Sequence, residues 1–593
     1  MKQFLLTMAG VFAGLVLFFI IIPFLLLSLI AGAASKPTPI ADNSVLQLDL
    51  RQALPDQDAP GPFAALRTHS PSVLSIIQTL KAAEKDSKIK GLFVRLPEGG
   101  IAPAAADELR LAFRRFRASG KPVIAHSQGL YPSGVVSSTY MLGESADALW
   151  MQPGAPFQVT GLAMEDIFLK RLFDKYSVKP DFQQRYEFKN AVNGYLYDDY
   201  TAAHRQSELS WMGSIFQTGL QTVAKDRGKP LAALQKAIEA GPYSAEEALK
   251  LGLVDKLGQV EEARDAVLAQ AGDGAKFTDF SDYASTARRT MGGKAGDDVI
   301  ALVGAEGPIM TGTSGQDLFG SNANIYSDDV AAALKRAAND KDVKAIVFRV
   351  SSPGGGDTAS EQILAAVRAA KLKKPVVVSM GTYGASGGYW ISSQASAIVA
   401  EPTTLTGSIG VYGGKFALGQ ALAHFGVDVR HLGVGGDFAS AYGTGEPFTP
   451  AQRAAFAKAI DQVYDGFIAR VADGRKLPPA RVREIAKGRV WTGEQAKALG
   501  LVDELGGLYE AVDKAKVLAG VQQQDLAIKT ISAHPSTLGA FGRALGISQE
   551  SLRILGTLSQ VMSDPRVQSM TAEARQAELR DRGALVLAPT PIR

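Results

Sequence analysis

Ser386 stands in Gly381-Thr382-Tyr383-Gly384-Ala385-Ser386-Gly387-Gly388-Tyr389-Trp390, directly after the apolar run Pro375-Val376-Val377-Val378-Ser379-Met380. A serine on a glycine-flanked turn between strand and helix is placed for nucleophilic attack, because glycine neighbours accept the backbone angles that lift its hydroxyl clear of the turn. Residues Tyr389 to Ala397 read as the following helix, so Ser386 would sit at a helix N-terminus beside free N–H groups. A second apolar run, Ala345-Ile346-Val347-Phe348-Arg349-Val350, ends in Ser351-Ser352-Pro353-Gly354-Gly355-Gly356. The N–H groups of Gly355 and Gly387 could then converge on one substrate carbonyl as an oxyanion hole. One glycine-rich turn is usually only a turn. Two in this order point to acyl-transfer chemistry.

A serine hydroxyl is hardly ionised near neutrality and needs a base. His424 and His431 lie downstream, in Ala421-Leu422-Ala423-His424-Phe425-Gly426-Val427-Asp428-Val429-Arg430-His431, which reads as a helix end and a following strand. Either would make a Ser-His-Asp triad. The other option is a lysine whose pKa falls by about three units from about 10.4 through burial. Composition does not choose between them. It does narrow the chemistry otherwise: with no cysteine there is no thiolate nucleophile or thiolate metal site. The six histidines, His69, His126, His204, His424, His431 and His534, form no HExxH and no close cluster, so no metal is expected. A net charge of +4 over 593 residues offers no basic face for nucleic acid.

The elements that would carry Ser386 recur along the chain with a period near 250 residues. Asp86-Ser87-Lys88-Ile89-Lys90-Gly91-Leu92-Phe93-Val94-Arg95 resembles Asp340-Lys341-Asp342-Val343-Lys344-Ala345-Ile346-Val347-Phe348-Arg349, and Leu251-Gly252-Leu253-Val254-Asp255 returns unchanged as Leu499-Gly500-Leu501-Val502-Asp503. Within each copy short β-branched strands alternate with Ala- and Leu-rich helical patterns, as in Ala359 to Ala370 and Pro450 to Asp473. That alternation predicts βαβ units and a mostly parallel sheet, hence an α/β fold built twice. The first repeat spans 36–270, a connection 271–297, the second repeat 298–520, and a helical C-terminal extension with a disordered tail 521–593. In the first copy Pro97-Glu98-Gly99-Gly100 and Pro132-Ser133-Gly134-Val135 replace the glycine-rich loops of the second. Ser133 therefore reads as a relic of a nucleophile.

Ahead of the repeats, Phe4 to Ile30 is almost wholly apolar and carries no charge, long enough to cross a hydrocarbon core of about 30 Å. It predicts a single N-terminal transmembrane helix in residues 1–35. The apolar run is about twice as long as a usual signal-peptide core, although Ala31-Gly32-Ala33 resembles a cleavage site. Flanking charge, Lys2 against Lys36, sets no orientation.

The duplicated halves, the anchor, Ser351-x-Pro353-Gly354-Gly355, Tyr383-x-Ala385-Ser386-Gly387-Gly388-Tyr389 and Thr406-Gly407-Ser408-Ile409-Gly410 together resemble the signal peptide peptidase A, or protease IV, family in its long two-repeat form. The resemblance covers roughly residues 1 to 520. It implies tandem ClpP/crotonase-like domains, a Ser-Lys dyad without cofactor, and a lysine base from a Tyr-x-x-Lys-x-Ala segment of the first repeat. Here that segment is Arg185-Tyr186-Glu187-Phe188-Lys189-Asn190-Ala191-Val192, which makes Lys189 the base; Asn190 departs from the small residue more usual there. The resemblance also implies that Ser408 hydrogen-bonds the lysine, and that the chain forms a homotetramer on the periplasmic side of a bacterial inner membrane. Its substrates would be hydrophobic peptides such as signal-peptide remnants. Crotonase-type acyl-CoA chemistry and a catalytically dead membrane scaffold are the competing readings.

Overall fold

The structure is a computed structural model that describes residues 39–58, 71–291, 296–314 and 324–533, together with Gly14 and Gly293. Apart from Gly14, the anchor expected in residues 1–35 lies outside the described residues, as do the helices expected after residue 533. Among the described residues no helix is long and apolar enough to cross a membrane.

The first half runs β1 (Ser44–Asp49), α1 (Val73–Lys85), β2 (Ile89–Arg95), α2 (Pro103–Ala118), β3 (Val123–Ser127), α3 (Val136–Glu144), β4 (Ala148–Met151), β5 (Lys179–Arg185), α4 (Ala202–Arg227), β6 (Lys256–Leu257), β7 (Lys276–Asp279) and α5 (Phe280–Met291). Its six-stranded sheet has the order β6-β4-β3-β2-β1-β7, and every pairing is parallel. Helices cover both faces, which is why β3 is buried at all five positions rather than alternating. Helix α1 begins at a Ser72 cap that accepts from the Ser75 N–H, and buries Val73, Ile76, Ile77 and Leu80 along one stripe.

The second half repeats the plan with β8 (Val299–Glu306), α6 (Ser327–Asn339), β9 (Val343–Ser352), α7 (Asp357–Lys371), β10 (Val376–Ala385), α8 (Gly387–Ser392), β11 (Ala397–Ala400), β12 (Leu405–Gly407), β13 (Val411–Ala417), α9 (Pro450–Arg475), β14 (Val490–Thr492), β15 (Glu504–Leu505), α10 (Leu508–Leu518) and β16 (Ala527–Thr530). The order is β14-β12-β10-β9-β8-β16, with β11 pairing β10 and β15; only β12 with β14 is antiparallel. The bend in β10 matters: Val377–Met380 pair with β11, and Tyr383–Ala385 pair with β12.

Four features differ from the sequence expectation. Residues 271–297 are more than a connection: β7 pairs with β1 at the sheet edge, and α5 buries Phe280, Tyr283, Ala284 and Ala287. The second repeat likewise continues past residue 520 to β16, which pairs with β8 at the matching edge. Each repeat therefore closes with a short edge strand, too short and too polar in Lys276–Asp279 to stand out by pattern. The helix expected from Tyr389 to Ala397 starts at Gly387 and stops at Ser392. There Ser392 and Ser393 turn their hydroxyls back onto the Gly388 and Trp390 carbonyls and compete with further helix. The strand expected around His431 does not form; Gly426 to Gly436 is irregular and exposed.

The two halves share a core. Alternate residues of the second sheet, among them Ile300, Leu302, Val347 and Val399, pack in one cluster with α1 and α2 of the first half, while Ala301, Val303, Ile346 and Phe348 face the second half's own core. Buried charge lies in that shared layer. Arg349 of β9 donates to both oxygens of Asp56, to Glu108 Oε1 and Oε2 at 3.1 and 2.6 Å, and to Ser379 Oγ at 2.9 Å. Asp107, Glu108 and Glu401 are buried alongside, and Glu401 Oε1 finds no partner among the described residues.

One further pairing crosses between the halves. Strand β5 of the first lies antiparallel to β13 of the second, from Lys179 opposite Ala417 to Arg185 opposite Val411. Asp181 anchors it, accepting from the Phe448 N–H at 2.8 Å and from Arg453 at 2.5 and 2.8 Å.

Candidate active site

The β5–β13 pairing determines where the next residues of the first half go. Beyond Arg185 the chain meets Lys487, whose carbonyl accepts from the Tyr186 and Phe188 N–H groups, both at 3.2 Å. Gly488 then lies flat against Lys189: a Cβ there would come within 2.5 Å of the lysine's own Cβ. These contacts turn the Lys189 side chain into the second half.

Its ammonium nitrogen stands 3.0 Å from Ser386 Oγ, 2.9 Å from Ser408 Oγ and 3.0 Å from the Ser408 carbonyl oxygen. Lys189, Ser386 and Ser408 thus meet within one chain, across the boundary between the repeats. Lys189 is 4% exposed and has no carboxylate among its hydrogen-bond partners. Burial pushes its pKa down from the ordinary lysine range to about 7, because the charged form loses water and gains no counter-ion among the described residues.

Ser386 occupies a left-handed conformation, φ 53° and ψ −118°, at the cap of α8. Its N–H donates to the Gly407 carbonyl at 2.9 Å and its carbonyl accepts from the Trp390 N–H at 2.9 Å, so both neighbouring elements hold the strained turn. Ser408 is also left-handed, φ 48°, with its N–H on the Arg489 carbonyl at 2.7 Å.

The Gly355 loop closes over this turn. A Cβ built on Gly387 would lie 3.0 Å from the Gly355 nitrogen, so the two amides are neighbours, and no acceptor among the described residues takes either N–H. At Gly355 a Cβ would meet the Ile309 carbonyl oxygen at 2.2 Å, a contact no side chain fits. Gly354 has φ +116°, and a Cβ there would come 2.8 Å from Ser386 Cβ and 2.9 Å from the Gly387 nitrogen. Gly354→Ala is therefore expected to displace the nucleophile and the paired amides together. It should lower kcat by about 10²–10³-fold, as loss of an oxyanion donor does, while the circular-dichroism spectrum stays that of the wild type.

The remaining candidates fall elsewhere. His424 ends a short helix with Nε2 3.1 Å from Ser177 Oγ, and His431 lies exposed in the irregular stretch. In the first half the relic turn has closed on itself. Ser133 is exposed, its carbonyl accepts from the Gly100 N–H at 2.6 Å, and the left-handed position has passed to Gly134, φ 62°. Sequence reasoning missed the Lys487-Gly488-Arg489 turn, which supports both the lysine and Ser408. Gly488 was the only local signal, and nothing in the sequence ties it to a residue of the other repeat.

The arrangement is that of a serine hydrolase with a two-half site: a strained serine beside a buried amine, and two free amides where an acyl oxygen would lie. The comparisons narrow the class. The family description Peptidase family S49 matches residues 115–272 and again 368–522. "Protease 4" of Salmonella typhi is 34% identical over 78% of this chain and 74% of its own length. "Protease 4" of Haemophilus influenzae is 32% identical over 89% and 86%. "Serine protease SPPA, chloroplastic" of Arabidopsis thaliana is 28% identical over 84% and 72%. Among solved structures, a membrane-bound stomatin-specific protease matches 40% of this chain and 99% of its own at 14% identity, with a TM-score of 0.25. The chain belongs to peptidase family S49 and is a serine peptidase.

Proposed function

We propose that this peptidase works through a Ser386–Lys189 dyad and degrades hydrophobic peptides, signal-peptide remnants among them, next to a membrane. The observation that carries the dyad is the 3.0 Å separation of Lys189 Nζ and Ser386 Oγ with the lysine buried and without a carboxylate partner among the described residues. Neutral Lys189 takes the Ser386 proton as Oγ attacks the scissile carbonyl carbon. The Gly355 and Gly387 N–H groups hold the oxyanion. Lys189 then returns the proton to the leaving amine, and a water repeats the sequence to release the acyl group. Ser408 fixes the amine's direction by accepting from it through Oγ and the carbonyl oxygen. No step calls for a cofactor.

The apolar Phe4 to Ile30 segment would hold the chain in the bacterial inner membrane by a single pass, with both repeats on the periplasmic face, where signal-peptide remnants are released. A homotetramer is part of the same reading, on the strength of the family resemblance. A fluorophosphonate tests the chemistry. Intact-mass measurement should find one adduct, absent in Ser386→Ala and formed several-fold more slowly at pH 5.5 than at pH 8. No adduct on the wild type would favour crotonase-type chemistry or a scaffold.

A further inference from the structure

Arg489 touches both supports of the lysine at once. Its backbone carbonyl holds the Ser408 N–H at 2.7 Å. Its guanidinium carbon lies 5.0 Å from the ring centre of Phe188, the residue before Lys189, and 4.2 Å from that of Trp491. Nη2 reaches Ser210 Oγ on α4 at 3.2 Å, and the same Oγ accepts from Gln495 Nε2 at 3.2 Å. Arg489 is thus a cross-tie between the first half, through Phe188 and Ser210, and the second, through Trp491 and Ser408. Its Nε is buried and has no hydrogen-bond partner among the described residues, so side-chain hydrogen bonding alone does not account for its placement.

Resting on the Ser–Lys reading above, we propose that Arg489 is a positioning residue for the dyad. By stacking on Phe188 while its carbonyl fixes Ser408, it sets the distance between Lys189 and its two serine acceptors and keeps water from the amine. The stacking requires a flat, weakly hydrated cation, which lysine is not. The groups that face this corner leave the task to Arg489. Glu187 and Lys487 pair with each other at 2.8 Å on the exposed rim, Arg185 pairs with Asp461 at 2.5 Å, and Glu208 is engaged by Trp211 at 2.7 Å. None of these carboxylates hydrogen-bonds Lys189.

The low pKa of Lys189 comes from burial alone, so a loosened corner that admits water should raise it. That gives a readout which a merely structural arginine would not move. The full chain is compared with Arg489→Gln, Arg489→Lys and Phe188→Leu, by pH profiles of kcat and kcat/KM on a fluorogenic hydrophobic peptide and by thermal unfolding. Expected for Arg489→Gln and Phe188→Leu are a kcat at least tenfold lower, a KM within twofold, and an acidic limb moved up by about one pH unit. Arg489→Lys should recover less than half of the lost kcat. An unmoved limb in folded Arg489→Gln, or full recovery by lysine, would overturn the proposal. Lys189→Ala with wild-type activity would instead overturn the dyad itself, so the two failures are told apart.

Discussion

Lys189→Ala is expected to lower kcat/KM for a hydrophobic fluorogenic peptide by about 10⁴-fold, and Ser386→Ala by as much. Combining the two should cost no more than either alone, because residues that move one proton between them act as a unit. The His424→Ala/His431→Ala double variant should keep its activity, since neither side chain hydrogen-bonds Ser386. An inactive histidine variant beside an active Lys189→Ala would replace the dyad with a triad. The pH dependence follows from the lysine. It works as a base only when neutral, and its pKa lies at about 7, so kcat/KM should rise with pH through a limb near 7.

The same burial costs stability. The unfolded lysine keeps its proton up to about 10.4, whereas the folded one gives it up near 7, so the unfolded chain binds more protons across that interval. Stability contributed by this group therefore rises with pH from about 7 to about 10.4. At pH 7 the penalty is on the order of 4 kcal/mol, offset in part by the two serine contacts. Lys189→Met, which fills the same space without the charge, should be inactive and yet about 1–2 kcal/mol more stable at pH 7 in urea unfolding. Equal or lower stability would mean that the amine is better accommodated than its surroundings imply.

Much of this site could be read before the fold was known, for a physical reason. Ser386, Gly355 and Gly387 sit where backbone angles and close approach admit few residue types, so their identities are written locally. The repeat likewise betrayed two similar α/β halves, because a buried parallel strand such as Val343–Ser352 needs an apolar run wherever it occurs. Lys189 is different. Nothing around it in sequence distinguishes it from a surface lysine; its role depends on β5 crossing to pair with β13, a tertiary event without a local signature. Only resemblance to a family singled it out. The Lys487-Gly488-Arg489 turn and the edge strands β7 and β16 were missed for the same reason, since partners distant in sequence decide their conformation.

The layer between the halves should be the most sensitive point of the fold. Arg349→Leu keeps apolar volume at a fully buried position but leaves Asp56 and Glu108 facing each other without a cation. Breaking such a buried group by removing one partner costs about 3–5 kcal/mol, far more than losing a surface ion pair. The loss should depend on pH in a defined direction. Burial raises the folded pKa of Glu108 and Glu401, takes Asp107 to about 6 and Glu306 to about 7, so the folded protein binds protons that the unfolded chain has released. Stability from these carboxyls is therefore fully present only below the unfolded carboxyl range at about 4 and is lost as pH rises from there through about 6 to 7. With Arg349 gone, the attraction that lowers the Glu108 pKa disappears, and the fall steepens. Denaturant unfolding of Arg349→Leu should show its largest deficit at pH 8 and a much smaller one at pH 5. Glu401→Gln, which removes a buried carboxyl whose Oε1 has no hydrogen-bond partner among the described residues, should flatten the wild-type profile instead. Equal deficits for Arg349→Leu at both pH values would show that the arginine serves by packing, and that charge in this layer is already balanced without it. A deficit that follows pH would mean that the mildly alkaline range favouring the neutral Lys189 is the range in which the join between the halves depends most on Arg349.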